Sequence, residues 1–148
     1  MDQDAYRKIY RDMDGRICLF EKSILARQSN CSQASRFFLA EREGVHCRSD
    51  QGQRRCEELL QLLRQQTRFT LKSANPSGAM PHAKVMRIQV GGLQGLALAS
   101  GTEKSALEDI FTLIDSAITQ FESLDQLPFQ EIIKQVAAYR GRPRRSSS

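Results

Sequence analysis

The chain has 148 residues, 40% hydrophobic and 26% charged, which suits one domain with a real core and leaves little room for two. No apolar run approaches the length of a bilayer span, and the charged start MDQDAYRKIYRDMD lacks the apolar stretch of a secretory signal, so a cytoplasmic protein is expected. The net charge of +5 is uneven: residues 1–72 carry 14 Lys and Arg against 10 Asp and Glu, residues 73–140 carry 5 against 7, and 141–148 carry three arginines and no acid.

In chain order, Tyr6, Ile9, Tyr10 and Met13 have helical spacing from about Asp4 to Asp14, and Asp14-Gly15 is a turn signal. A second helix is predicted from about Arg16 to Gln28, with Ile17, Phe20, Ile24 and Leu25 as its apolar stripe and Cys18 at the margin. Ser29-Asn30-Cys31-Ser32 breaks the pattern, and Ser32 then caps a short predicted helix, SQASRFFLAERE, closed by Gly44. After the loop Val45–Arg48, the longest predicted helix runs from about Asp50 to Leu71. There Cys56, Leu59, Leu60 and Leu63 fall at i, i+3, i+4 and i+7.

The loop 73–83 is the best internal boundary. Beyond it Met86, Ile88 and Val90 alternate along a predicted strand, Gly91-Gly92 reads as a hairpin turn, and Leu93 to Ala99 returns as a second strand with a bulge at Gly95. Two helices follow, from about Glu103 to Glu122 after a Thr102 cap and from about Phe129 to Tyr139. The fold class expected is α+β, mainly helical: a four-cysteine helical layer over 1–72, one antiparallel β-hairpin, then two C-terminal helices. One domain spans 1–140, and the basic tail 141–148 is expected to be disordered.

Cys18, Cys31, Cys47 and Cys56 are the only cysteines, and the remaining two thirds of the chain has none. Four thiols close a tetrahedral zinc site or anchor an iron–sulfur cluster, and in a reducing compartment a cysteine group reads as metal-binding before it reads as disulfide. The spacing C-x12-C-x15-C-x8-C has neither the C-x2-C knuckle of zinc modules nor the close runs of ferredoxins. A four-iron, four-sulfur (4Fe–4S) cluster is favoured over zinc, because a cubane draws its ligands from well-separated elements. Its negative charge finds Arg16, Arg36, Arg48, Arg54 and Arg55 nearby in sequence, and His46 is a substitute ligand. The competing readings are ordinary core cysteines, for which Cys18 and Cys56 are well placed, and one or two disulfides.

The expected role is electron transfer or redox sensing with a protein redox or assembly partner. Four cysteine ligands leave no open coordination position, which argues against metal-centred catalysis. The alternative is a non-enzymatic interaction or nucleic-acid-binding adaptor whose cysteines are core or zinc ligands. Other signals are weaker. Gly91–Gly95 lacks the frame of a phosphate loop, and His46 and His82 have no triad partners at a telling spacing. Arg140, Arg142, Arg144 and Arg145 offer phosphate contacts without an aromatic residue for stacking, so nucleic acid is not favoured. The edge of the 84–99 hairpin is a candidate surface for pairing two chains.

Overall fold

A computed structural model describes residues 17–39, 41–71, 82–101 and 109–139. The predicted Asp4–Asp14 helix, Arg16, most of the 73–83 loop, the Thr102 cap and the tail with Arg140, Arg142, Arg144 and Arg145 lie outside these residues. The elements are α1 (Glu21–Leu25), β1 (Ala34–Leu39), β2 (Arg42–Cys47), α2 (Asp50–Leu71), α3 (His82–Met86), a π-helical turn (Arg87–Gly91), α4 (Gly92–Ala99), α5 (Ile110–Phe121), a 3-10 turn (Leu124–Gln126) and α6 (Phe129–Ala138). Among the described residues the chain is mostly helical with one antiparallel hairpin, in keeping with the α+β class.

Helix α2 forms as its stripe requires. The Ser49 hydroxyl accepts the Gly52 N–H at 2.9 Å, capping the first turn, and Leu59, Leu60 and Leu63 are buried while Arg54, Glu57, Glu58 and Gln61 face solvent. At the other end of the chain, α6 buries Ile132, Ile133 and Val136. The core is continuous, running from Phe20, Ile24 and Val45 through Leu59 and Leu63 to Leu93, Leu96, Ile110, Leu113, Ile114 and Ile132.

The hairpin is not where the pattern put it. The segment predicted as a helix from Ser32 is β1, paired with β2 from Ala34↔Cys47 to Leu39↔Arg42. Aromatic Phe37 and Phe38 suit a pleated surface, and Ser32 caps nothing: its N–H is taken by Asp109 at 3.0 Å. The predicted Arg16–Gln28 helix contracts to α1, because Ile17 bridges to His46 and the Cys18 N–H donates to the Val45 carbonyl at 3.0 Å. Cys18 thus lies on an extended stretch beside β2.

The predicted 84–99 hairpin is helical, so the sheet edge expected there for pairing two chains does not exist. From Met86 through Gly92 the backbone stays right-handed helical, and Ile88 through Leu93 is buried without a break. A helix enclosed on most sides loses its 3.6-residue signature, and the alternation of Met86, Ile88 and Val90 then imitates a strand. The glycines do not turn the chain; they let another helix in. A Cβ on Gly95 would sit 2.7 Å from the Ile132 Cα and carbonyl oxygen, and one on Gly91 would sit 2.8 Å from the Val136 Cα, so α4 and the π turn lie against the backbone of α6.

Gly95→Ala is therefore expected to destabilise the fold by about 1–3 kcal/mol through forced separation of these helices. Leu98→Ala, on the exposed side of the same helix, is expected to stay within about 0.5 kcal/mol of the parent. Urea unfolding of the two variants checks the contrast, and equal midpoints would remove the close-packed crossing from the account.

Candidate metal centre

The four cysteines arrive on four different pieces of chain. Cys18 follows the Ile17–His46 bridge, Cys31 lies in the loop before β1, Cys47 ends β2, and Cys56 stands in the second turn of α2. All four line one cleft of about 450 Å³, a volume that includes the solvent at its mouth. Its apolar walls include Phe20, Ile110, Phe111 and Ile114, with the Arg55 side chain at its edge. Cys18 and Cys47 are buried, whereas Cys31 and Cys56 are half-buried. None is in a disulfide.

The local backbone explains how each is presented. On β2, Val45 and Cys47 share the buried face and His46 takes the other; His46 does not line the cleft, so its place as a substitute ligand is not supported by position. The Cys31 loop is fastened to the start of α5. Ile110 donates its N–H to the Asn30 carbonyl at 2.9 Å, and Asp109, the N-cap of α5, accepts from both the Ser32 N–H and the Thr112 hydroxyl, the latter at 2.6 Å. Burial raises the Asp109 carboxyl, but these hydrogen bonds outweigh it and hold the group below its ordinary range.

The sulfurs sense one another. Burial is the main cause that pushes the Cys56 thiol far above its ordinary value, and Cys18, Cys31 and Cys47 each push it further. The Cys18 thiol rises to about 12, chiefly by burial, against one hydrogen bond from the Phe20 backbone. Cys31 is raised by burial as well, although the backbone N–H groups of Gln33 and Phe111 favour its thiolate. Two of these three donors lie two residues after the cysteine they serve, and the third is in the first turn of α5, where the helix dipole also favours negative charge. The Cys47 sulfur faces the Ser49 carbonyl at 3.3 Å.

Among the described residues, no group of three or more His, Cys, Asp or Glu side chains is gathered closely enough for a single metal ion. The arginines expected to offset a cluster divide. Arg55 lines the cleft and pairs with Asp115 at 3.0 Å, while Arg36 is turned to Glu43 and the Ile24 carbonyl, Arg48 to the Ser32 carbonyl, and Arg54 to solvent. Sequence reasoning missed Gln53, Gln89, Asp109 and Phe111. The last two stand more than fifty residues beyond the last cysteine, where spacing carries no signal. Comparison with protein-family models, with curated proteins and with solved structures gave no significant match.

Two outcomes follow. In metal-free protein the raised Cys18 thiol contributes stability that is complete below its ordinary value of 9.0 and is lost as pH rises through about 12, because the unfolded chain ionises first. Urea midpoints should fall across that window, and fall less for Cys18→Ser; parallel curves would contradict the shift. Asp109→Ala, which removes the α5 cap and the tie to Ser32, should cost about 1–2 kcal/mol by the same measurement.

Proposed function

We propose that the chain is a small metal-binding protein whose four cysteines hold a 4Fe–4S cluster used for electron transfer or redox sensing. One observation carries the reading: four cysteines from four separate segments line a single apolar cleft, with backbone N–H groups directed at two of their sulfurs. Those donors suit sulfur that carries negative charge in the working state. Burial makes bare thiolates costly, so a bound cation is what would take the protons' place.

The larger centre is preferred because four separate segments supply the ligands. A tetrahedral zinc with bonds of ≈2.3 Å would need its four sulfurs roughly 3.8 Å apart. A cubane binds each thiolate to a different iron and so spreads them. Bound there, it would supply reversible one-electron chemistry, and hydrogen bonds to the cysteine sulfurs together with exposure at the mouth would tune its potential. The chain's own part is to fix four ligands, exclude most water with Phe20, Ile110 and Ile114, and leave the Cys31 and Cys56 side open to a redox partner. No helix among the described residues is long and apolar enough to cross a membrane.

Anaerobic reconstitution with ferrous iron and sulfide tests this. The expected product is brown and holds four irons and four sulfides per chain, and Cys→Ser at each of the four positions lowers the iron content. Protein that takes up one zinc and no cluster would replace the reading with a structural zinc module. If it binds neither and melts identically in chelator, the cysteines are core residues and the adaptor reading takes over.

A further inference from the structure

Gln89 is the one polar side chain of the enclosed central helix that is buried, 5% exposed, and neither end of its amide is used within its own helix. Its Oε1 accepts the Ser23 N–H at 3.1 Å and its Nε2 donates to the Leu19 carbonyl at 3.1 Å. These two partners fix the orientation of the amide, a carbonyl at one end and an N–H at the other. Both lie on the short run that carries Cys18 into α1, about seventy residues away in sequence. A second amide completes the grip: Gln53 of α2 donates its Nε2 to the Ile17 carbonyl at 3.0 Å. The carbonyls immediately before and after Cys18 are thus each held by a glutamine from a different helix, and the Cys18 N–H is held by Val45.

Gln89 also occupies the middle of the π-helical turn Arg87–Gly91. Such a turn inserts one residue into an α-helix and rephases the faces on either side, a feature that recurs where a side chain must be aimed. Here the residue at its centre reaches the Cys18 segment while Gly91 and Gly95 keep their faces on α6.

We infer that Gln89 is a positioning residue for Cys18: the π turn aims its amide at the Leu19 carbonyl and Ser23 N–H so that this sulfur stands in the cleft with the other three. The inference rests on the four-thiolate reading above for its functional consequence, but not for the clamp itself.

Gln89→Leu removes both hydrogen bonds at similar volume, and Gln89→Glu, which retains the acceptor for Ser23 and loses the donor to Leu19, is the conservative companion and the fallback where the leucine variant fails to fold. Two readouts are taken on the full chain. In metal-stripped protein, amide hydrogen exchange at Cys18 and Ser23 should quicken at least about tenfold in Gln89→Leu, while Leu59 to Leu63 of α2 keep their protection. After iron and sulfide loading, the same variant should retain about tenfold less cluster under chelator challenge and show an altered visible spectrum, with Gln89→Glu intermediate. Exchange that is unchanged, or that quickens equally everywhere, overturns the clamp. Local quickening with cluster retention and spectrum identical to the parent overturns the positioning role. Local quickening in a protein whose parent takes up no iron upholds the clamp and removes the cluster reading instead.

Discussion

An apolar cleft imposes one constraint on four sulfur atoms that share it: they are neutral thiols or they are bonded to a cation. Ionised and bare, they would have to overcome both desolvation and each other, and the high thiols of Cys18 and Cys56 record both costs. The backbone N–H groups of Phe20, Gln33 and Phe111 pull the opposite way, toward sulfur with negative charge. Neutral thiols meet that constraint, and the proposed metal centre would meet it by keeping the charge and losing the protons.

The remainder of the fold supplies rigidity to that cleft. The glycines of the π turn and α4 bring α6 into backbone contact, which seats the central helix firmly enough to carry a buried glutamine across to the Cys18 segment. The hairpin delivers Cys47 and, through the Val45 carbonyl, the backbone of Cys18. Helix α5 contributes Ile110, Phe111 and Ile114 to the wall, and its Asp109 cap fastens the Cys31 loop. Cys18 and Cys31 thus depend on elements distant from them in sequence, and none of the four is presented by a local knuckle.

That dependence explains what could be read from the sequence. The Asp50–Leu71 and Phe129–Ala138 helices were legible because each is half-exposed, so burial wrote a 3.6-residue period into them. The clustering and number of the cysteines singled them out in the sequence, and all four line one cleft. Elements whose character comes from tertiary contact were not legible. Ile88 to Leu93 is buried on nearly every side and keeps no helical period, and Gly91-Gly92 signalled a turn because close approach to Leu63 and Val136 lies outside any local pattern. Cys18 looked helical because Ile17, Phe20 and Ile24 have helical spacing, yet pairing with β2 prevailed over that preference. Gln89, hidden in an apolar run, carried no signal at all until its partners seventy residues away were seen.

The central claim is that the sulfurs of Cys18, Cys31, Cys47 and Cys56 surround one polynuclear centre. X-ray absorption at the iron edge, on protein loaded anaerobically with iron and sulfide, tests it most directly. The account predicts iron bonded to sulfur alone, with neighbouring irons at the short separation of a cubane, and loss of that iron–iron signal when any one of the four cysteines is replaced by serine. Iron bonded to oxygen or nitrogen with no iron neighbour would contradict it.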